Sequence, residues 1–328
     1  MIAQPFAAPP FRLTLARGQA LDLVPHRPAL MGIVNITPDS FSDGGAFLDP
    51  GRAVEHALRL VDEGAALLDL GAESTRPAGP AYGAGARAVD AQEERARLLP
   101  VLGGLRRVSA IAISIDTRKA AVARAAFDAG ADLLNDVSGL EDPDLAAFAA
   151  RVGFPVVLMH HRGIFSGLSR ATSTAQPECA PRDSSELVGE VRSGLAAALA
   201  RALAAGCRQE QIVLDPGLGF GKRGRQNLEL LRRLSELADL GCPLLVGASR
   251  KSFLGEVAAS ADPAERLPES LAAAAWAAAG GASLLRVHDV GATRRFLAAW
   301  TAIDDAAGGG AGAAGNSSGS AAGAETAA

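Results

Sequence analysis

The chain is poor in cysteine and in basic charge, and each shortage excludes a class of protein. Its 328 residues include three cysteines, an odd number without the spacing of a metal site, so we expect reduced thiols and no disulfide framework. Lys and Arg number 32 against 36 Asp and Glu, which gives a formal charge of −4. Without a basic surplus, nucleic-acid binding is not expected, and a small molecule is the expected partner.

Long hydrophobic runs are also lacking. The N-terminal residues do not combine a basic start with an apolar stretch, the pattern of a secretory signal. The most apolar segment, 271–285, is short for a membrane span and contains Gly280 and Gly281. We therefore expect a cytoplasmic protein with no membrane partner.

What the sequence does contain is a sharp change of composition at Asn35. The run 29–34 is continuously apolar, which is typical of a strand covered on both faces, and the segment 36–45 that follows is polar. In parallel α/β folds the carboxyl ends of the strands bind ligands, so Asn35 is a candidate contact. The alternative is an ordinary turn in which Asp39 and Asp43 cap the next helix.

The same order of apolar strand, polar cluster and amphipathic helix recurs along the chain. The predicted strands are 29–34, 66–70, 111–115, 132–134, 155–158, 211–214, 243–246 and 283–285. The predicted helices are 50–64, 91–107, 119–129, 142–152, 186–205, 227–240, 268–279 and 293–300. Eight strands alternating with eight helices over about 275 residues predict an α/β protein of the (β/α)8 TIM-barrel type. A doubly wound sheet is the alternative. The segment GLGFG at 217–221 has neither the GxGxxG nor the GxxxxGK(S/T) spacing of a nucleotide-binding loop, so a dinucleotide-binding role is not expected.

The barrel is expected to occupy residues 29–303 as a single domain. Residues 1–28 are rich in Pro and Ala with one alternating run at 11–15, which predicts a short hairpin or a plug beneath the barrel. Residues 304–328 consist mostly of Ala, Gly and Ser. Such a composition cannot bury enough apolar surface to order itself, so we expect a disordered C-terminal tail.

The polar residues at the predicted strand ends fall into two chemical groups. They are Asn35, Thr75, Arg76, Asp116, Asn135, His160, Asp215, Lys251, Arg286 and His288. The cations, together with the hydroxyls of Ser249 and Ser252, suit phosphate oxygens, and Asn35 offers a neutral oxygen for a Mg²⁺ that accompanies phosphate. The carboxylates and the amide of Asn135 suit a flat heterocycle that presents N–H donors. An anion and a nitrogen heterocycle are therefore expected in one pocket.

Eight segments, in order, resemble the dihydropteroate synthase family from about residue 30 to 302. They are NITPDSFSDGG at 35–45, ESTRP at 73–77, IDTRK at 115–119, NDVSG at 135–139, LMH at 158–160, DPGLGFGK at 215–222, SRKSFLG at 249–255 and RVHDV at 286–290. The resemblance implies a TIM-barrel transferase of folate biosynthesis, usually a homodimer. In this reaction p-aminobenzoate displaces pyrophosphate from 6-hydroxymethyl-7,8-dihydropterin diphosphate, by loss of pyrophosphate to a pterin cation that the aniline nitrogen attacks.

The resemblance also assigns roles to individual residues. Pterin contacts fall to Asp116, Asn135, Asp215 and Lys251, with Phe220 in the pocket wall and Arg286 against the ring and the phosphates. The diphosphate falls to Arg286 and His288, and Mg²⁺ to Asn35. The loops that would close over the site carry Phe41, Ser42 and Asp43, and Thr75, Arg76 and Pro77, and Ser252 would help to hold p-aminobenzoate. The expected catalytic residues are Asp43, Thr75, Arg76, Lys251 and Arg286.

Some features depart from the family pattern or stay open. His161 is a second histidine in MHHRG, and Gln226 stands where the family often has His. His160 is equally a structural histidine or a contact, His161 is expected to be solvated, and Arg118 and Lys119 are expected to be surface charges at a helix start. The alternative functions are a folate-dependent methyltransferase of the same architecture and a non-catalytic pterin-binding paralogue.

Overall fold

The computed structural model of the chain describes residues 10–37, 49–73, 89–162 and 184–308. Its strands are β1 (Phe11–Thr14), β2 (Ala20–Leu23), β3 (Ala29–Asn35), β4 (Leu67–Gly71), β5 (Ala112–Asp116), β6 (Leu133–Asp136), β7 (Val156–Met159), β8 (Ile212–Asp215), β9 (Leu245–Val246) and β10 (Leu284–Val287). Its α-helices are α1 (Pro50–Asp62), α2 (Ala91–Val108), α3 (Ala120–Asp128), α4 (Pro143–Val152), α5 (Ser184–Ala204), α6 (Arg225–Arg232), α7 (Ser252–Ala258), α8 (Leu267–Ala279) and α9 (Val290–Gly308).

Strands β3 to β10 form one parallel sheet that closes on itself. Its hydrogen-bonded order is β8-β7-β6-β5-β4-β3-β10-β9. A parallel bridge between Leu214 and Leu244 joins β8 to the segment entering β9. There the backbone N–H of Leu214 donates to the carbonyl of Pro243 at 2.9 Å. The predicted (β/α)8 barrel is confirmed, and a doubly wound sheet is excluded because the order of strands runs once around without reversing.

The antiparallel hairpin of β1 and β2 closes the amino-terminal end of the barrel. Its leucines, Leu13, Leu15 and Leu23, are buried against one apolar side chain from each barrel strand. These eight side chains are Met31, Leu67, Ala112, Leu133, Val157, Val213, Leu245 and Leu284. The predicted plug beneath the barrel is thus a two-stranded hairpin, and the bottom of the barrel is filled with apolar side chains. Any ligand must enter from the opposite end.

Local signals explain where several helices begin. Asp49, Asp90 and Asp142 each occupy the N-cap position, where the side chain accepts a hydrogen bond from a backbone N–H of the first turn. Pro50 and Pro143 follow as the first helical residue, where a missing N–H costs nothing. The cap of α1 is therefore Asp49, whereas Asp39 and Asp43, proposed as caps from the sequence, lie outside the described residues.

The structure also corrects element boundaries. Seven of the eight barrel strands end one or two residues later than predicted, so that Asp116, Asn135 and Asp215 belong to the strands themselves. The apolar run marks only the part of a strand that is covered by helices, while the backbone ladder continues into the polar mouth. The helix predicted at 227–240 changes at Arg233 into a 3₁₀ segment, Leu234–Leu240. Helix α7 was not predicted, and α9 continues to Gly308, past the expected start of the tail.

None of the helices in the described part of the chain is both long and apolar enough to cross a membrane.

The main core lies between the outer face of the barrel and the surrounding helices. The polar side chains of the strand ends are thereby gathered at the one open end of the barrel.

Candidate active site

Arg286 on β10 lies at the centre of the barrel mouth and binds two carboxylates. Its Nε donates to Oδ2 of Asp69 at 2.6 Å, and its Nη2 donates to Oδ2 of Asp116 at 3.1 Å. About four-fifths of the Arg286 side chain is buried, since its relative exposure is 21%. A guanidinium tied at two nitrogens to different strands is held in one plane, which suits recognition of a planar or branched anion.

Asp116 and Asn135 lie on neighbouring strands, with their Cα atoms paired across β5 and β6. Burial raises the pKa of Asp116 to about 8; the charge of Arg286 opposes this rise and the charge of Asp69 adds to it. The amide of Asn135 donates to Oδ2 of Asp69 at 3.1 Å, which leaves its carbonyl oxygen available as an acceptor. The pair therefore offers both acceptor and donor capacity to a heterocycle.

Asp215 at the end of β8 faces Lys251. Oδ1 of Asp215 accepts a hydrogen bond from the backbone N–H of Gly217 at 2.7 Å. Burial raises the pKa of Asp215, although the charge of Lys251 opposes the rise. Burial likewise lowers the pKa of Lys251 to about 8, against the attraction of Asp215. A carboxylate and an ammonium held in a desolvated pocket provide a charged acceptor beside a charged donor.

An apolar wall lies beside these polar groups. Val137 and Met159 form a small cluster of their own, against which Phe220 packs. The ammonium of Lys251 lies 4.8 Å from the centre of the Phe220 ring and donates to the carbonyl of Leu218. The mouth thus combines one flat apolar surface with hydrogen-bonding groups around it, as a flat heteroaromatic ligand requires.

The loops after β7 and β8 interlock tightly. Lys222, whose side chain is buried, donates to the carbonyls of Gly217 at 2.8 Å, His160 at 3.3 Å and Phe220 at 3.3 Å. Gly217 has a positive φ of 65°, and a Cβ there would lie 2.0 Å from the carbonyl oxygen of His160. Only glycine fits this position, so that the β8 loop can close against the β7 loop.

His160 is a structural residue of this junction. Burial lowers its pKa to about 2, and the charges of Lys222, His161 and Arg162 act in the same direction. The expectation that His161 is solvated is wrong, because its side chain is 6% exposed and its Nε2 lies 3.2 Å from Oε1 of Glu141. Arg162 makes a two-point contact with Glu190 on α5 and also donates to Gln226.

On the other side of the mouth, the segment after β9 supports His288. The hydroxyl of Ser249 lies 3.1 Å from Nδ1 of His288 and accepts from the backbone N–H of the same residue at 3.2 Å. Arg250 adopts a positive φ of 59° and is fixed by a two-point ion pair with Asp289. These contacts hold the backbone between Ser249 and Lys251 in one conformation. They thereby fix the direction of the Ser249 and Lys251 side chains. Ser252 begins α7 directly after Lys251.

Asn35, the proposed metal ligand, is the last residue of β3 and is partly exposed at the mouth. In the described ranges, no group of three or more His, Cys, Asp or Glu side chains is arranged to hold a metal ion. A single amide oxygen fits Mg²⁺ only when a ligand supplies most of the coordination, as diphosphates do. The residues present are therefore compatible with a metal that arrives with a phosphate ligand.

Six proposed site residues lie outside the described residues, namely Phe41, Ser42, Asp43, Thr75, Arg76 and Pro77. The expectation that Lys119 is a surface charge is wrong: its ammonium contacts Glu73 at 2.8 Å and the fully buried Glu94. Glu73 also accepts from the backbone N–H of Val89 at 3.3 Å, so its carboxylate joins the residues on either side of segment 74–88.

Asp69 is a site residue that the pattern of polar strand ends does not identify. This aspartate lies inside the predicted apolar strand 66–70, which is Leu67–Gly71 in the structure, and it is 0% exposed. A charged residue in the middle of a buried strand was the available signal, but only the assembled barrel shows that it faces Arg286. Together, the described groups can orient a planar nitrogen heterocycle and neutralise negative charge beside it.

Comparison with known proteins agrees with this geometry. The family described as pterin binding enzyme matches residues 31–288. A dihydropteroate synthase from Synechocystis is 45% identical over 274 residues, covering 83% of this chain and 89% of that protein. The dihydropteroate synthase of Mycobacterium leprae is 45% identical over 270 residues, covering 80% and 89%.

Solved structures give the same result. Xanthomonas albilineans dihydropteroate synthase with 4-aminobenzoic acid superposes with a TM-score of 0.78 at 42% identity, covering 90% of this chain and 99% of that one. The same enzyme in complex with 7,8-dihydropteroate gives a TM-score of 0.72 at 36% identity, covering 89% and 98%.

Proposed function

Because this chain belongs to the dihydropteroate synthase family of pterin-binding enzymes, we propose that it condenses 6-hydroxymethyl-7,8-dihydropterin diphosphate with p-aminobenzoate. The products are 7,8-dihydropteroate and pyrophosphate, and the reaction belongs to folate biosynthesis. The observation that supports this most is the arrangement around Arg286, whose guanidinium lies between Asp69 and Asp116 at the mouth of the barrel. It places a fixed cation next to Asp116, a carboxylate that suits a pterin ring.

The polar floor suits the pterin. Asp215, as a carboxylate, can accept two parallel hydrogen bonds from the amino-amidine edge of the ring, while Lys251 donates to a ring acceptor. The centre of the Phe220 ring lies 4.8 Å from Nζ of Lys251. This aromatic side chain offers a flat surface on which the pterin ring can stack. Asp116 and Asn135 complete the ring contacts from β5 and β6.

The reaction needs stabilisation of the leaving group more than a strong base. As the C–O bond to the diphosphate breaks, negative charge grows on pyrophosphate, and the fixed cation of Arg286 stabilises that charge without reorganising. The pterin is left as a cation, which the carboxylates of the pocket stabilise. The aniline nitrogen of p-aminobenzoate then forms the new C–N bond and releases a proton to water. His288 and Ser252 are proposed to hold the diphosphate and p-aminobenzoate respectively.

Mg²⁺ is proposed as the cofactor, with Asn35 as its protein ligand. When bound with the diphosphate it would supply positive charge that neutralises the phosphate oxygens. A readout independent of turnover is available: replacing Asn35 by Ala should weaken the Mg²⁺ dependence of diphosphate binding in calorimetry. It should leave the affinity for phosphate-free 6-hydroxymethylpterin unchanged.

A coupled assay for pyrophosphate release tests the function directly. Release that requires both the pterin diphosphate and p-aminobenzoate supports the proposal, and no release with the intact protein would overturn it. Titration calorimetry separates the methyltransferase alternative, because a methyltransferase would bind methyltetrahydrofolate and not the pterin diphosphate. A non-catalytic paralogue would bind the pterin diphosphate without releasing pyrophosphate.

We also propose a homodimer in the cytoplasm. Trp276 on α8 is 42% exposed, and Val257 on α7, which contacts α8, is 64% exposed. Burying them against a second copy would remove their apolar surface from water. Sedimentation of the wild type and of Trp276→Glu tests this: a dimer that becomes a monomer in the variant supports it, and a wild-type monomer would contradict it.

A further inference from the structure

Asp69 occupies the layer of the barrel interior between the apolar plug and the mouth. Along β4, Leu67 below it belongs to the plug cluster, while Leu68 and Leu70 pack outward against the helices. Because side chains alternate along a strand, Asp69 points into the barrel. Its exposure is 0%, and Gly71, the next inward position, is the last residue of the strand. The carboxylate thus lies beneath the mouth and behind the residues that line it.

One carboxylate oxygen of Asp69 accepts hydrogen bonds from two residues that are proposed to bind the pterin and its phosphates. Oδ2 accepts from Nε of Arg286 at 2.6 Å and from Nδ2 of Asn135 at 3.1 Å. Asp69 thus accepts from Nε, the guanidinium nitrogen nearest the side-chain stem, whereas Asp116 accepts from Nη2. Neither of these two contacts involves Nη1 of Arg286. On Asn135, the same bond sets which amide atom faces the pocket, because an amide that donates downward presents its oxygen upward.

Stability does not account for a carboxylate at this position. The other oxygen of Asp69, Oδ1, is buried and has no hydrogen-bond partner among the residues described. Interior ion pairs are often no more stabilising than apolar side chains of similar size, and an unpartnered buried oxygen adds a further cost. An arrangement that is costly in the interior and linked to two site residues indicates a role in function.

We propose that Asp69 is a positioning residue, which fixes the plane of the Arg286 guanidinium and the orientation of the Asn135 amide before the pterin diphosphate binds. The inference rests on the proposed function, because it assumes that Arg286 and Asn135 meet that substrate. Asp69 itself does not touch substrate. Its replacement should therefore act on binding and turnover only through these two neighbours.

The charge of Asp69 also acts on Asp116. The charged groups that act on Asp116 are Arg286 on β10, Asp69 on β4, Glu94 on α2, Asp136 on β6 and Lys251 after β9. Burial is the main reason why the pKa of Asp116 is raised, and the charge of Asp69 adds to the rise. Removing that charge should move the pKa of Asp116 down, a change that loss of packing alone would not produce.

The test uses Asp69→Asn in the full chain, with Asp132→Asn as matched control. Asp132 is also a buried aspartate paired with an arginine, Arg106, but it precedes β6 at the opposite end of the barrel. Both variants remove one buried charge of an Asp–Arg pair, so both are expected to lower the melting temperature. Only Asp69→Asn should weaken binding of the pterin diphosphate and lower kcat, by about tenfold to a hundredfold for a misplaced guanidinium.

Two further readouts separate positioning from a structural role. Asp69→Asn should shift the pH profile of kcat/KM toward lower pH, whereas Asp132→Asn should keep the wild-type profile. The proposal is overturned if the two variants lose melting temperature alike and both retain wild-type affinity and pH profile. Wild-type enzyme without pyrophosphate release would instead overturn the proposed function, so the two failures are distinguishable.

If Asp69→Asn does not fold, the wild-type protein still decides the matter. In ¹⁵N-arginine-labelled protein, Arg286→Lys identifies the Arg286 Nε–H resonance by its loss. Slow hydrogen exchange of this Nε–H, both with and without bound pterin diphosphate, is the result expected for an Nε held by Asp69. Exchange as fast as that of surface arginines would overturn the proposal.

Discussion

The ammonium of Lys222 donates to the carbonyl oxygen of Gly217 at 2.8 Å inside the loop that carries Phe220. Two further carbonyls, those of His160 and Phe220, accept from the same nitrogen at 3.3 Å. One buried amine thus links the β7 and β8 loops, and burial lowers its pKa to about 7. This side chain is one of the contacts that hold the wall of the proposed pterin pocket, together with Asn227, whose Oδ1 accepts from the backbone N–H of Gly219 at 2.7 Å.

Lys222→Met should therefore loosen the pocket wall as well as the fold. The Met side chain fills similar space but leaves the three carbonyls without their buried donor, which should cost about 1 to 3 kcal/mol of unfolding free energy. Binding of 6-hydroxymethylpterin should weaken in titration calorimetry. Arg223→Met, at the exposed neighbouring position, is the control. Equal stability and affinity in the two variants would show that Lys222 does not support the pocket.

The second prediction concerns pH and His160. Its pKa in the folded protein is lowered to about 2, whereas the unfolded side chain titrates near 6.5. Between these values the unfolded chain binds a proton that the folded chain does not. Stability is therefore lost as pH falls below about 6.5, and this group alone should cost about 2 kcal/mol at pH 5.

Urea unfolding of the wild type and of His160→Gln at pH 7 and pH 5 measures this term. The other titrating groups act equally in both proteins, so the difference between the two pH dependences belongs to His160. The variant should lose less stability on acidification. An identical loss of stability in both proteins would contradict this, because it would mean that His160 is protonated at pH 5 in the folded protein as it is in the unfolded chain.

The third prediction separates the two ends of the substrate. Asp215→Asn keeps the shape but turns one acceptor oxygen into a donor facing the N–H groups of the ring, which should cost roughly 1.5 to 3 kcal/mol in pterin binding. Arg286→Lys keeps the charge but loses the planar fork between Asp69 and Asp116. It should weaken binding of the diphosphate compound more than binding of the phosphate-free pterin.

Titration of both variants with 6-hydroxymethylpterin and with its diphosphate distinguishes these effects. If Asp215→Asn binds the phosphate-free pterin as tightly as the wild type, Asp215 does not read the ring. If Arg286→Lys loses equal affinity for both ligands, its role is not directed at the phosphates.

The fourth prediction concerns Lys119 and the carboxylates it neutralises. Glu94 is fully buried, and burial raises its pKa despite the contact with Lys119. Lys119→Met leaves this charge without a partner, which should cost about 3 to 5 kcal/mol of unfolding free energy. Adding Glu94→Gln in that background should recover part of the loss.

Arg118→Met is the matched control, because Arg118 is about as exposed as Lys119, lies farther from the same Glu73, at 3.7 Å, and has no ion pair with the buried Glu94 among the described residues. It should cost less than about 1 kcal/mol. Urea unfolding of the three variants measures these changes. Equal losses of unfolding free energy in Lys119→Met and Arg118→Met would contradict the prediction. They would show that Lys119 acts as a surface charge, as expected from the sequence.

Sequence alone predicted the barrel because strands such as 29–34 are buried on both faces and end at polar residues. It placed Asp116, Asn135, Asp215 and Arg286 at one mouth, because parallel strands bring their carboxyl ends together. These four residues were visible as the points where apolar runs stop.

Residues that act through long-range contacts were not predictable in this way. Asp69 sits inside an apolar run, and its partner Arg286 is 217 residues away. Lys119 meets Glu73 and Glu94, which are 46 and 25 positions away, so the local pattern showed only a helix start. Local periodicity also missed the change to 3₁₀ geometry at Arg233, because apolar spacing fixes the buried face and not the hydrogen-bond register.

The central claim is tested most directly by quantifying both products in one reaction. The purified protein is mixed with 6-hydroxymethyl-7,8-dihydropterin diphosphate, p-aminobenzoate and Mg²⁺, and pyrophosphate and 7,8-dihydropteroate are measured over time. The account predicts equal amounts of the two products, and neither product when p-aminobenzoate is omitted. Pyrophosphate without dihydropteroate, or no turnover of either substrate by the wild-type protein, would contradict it.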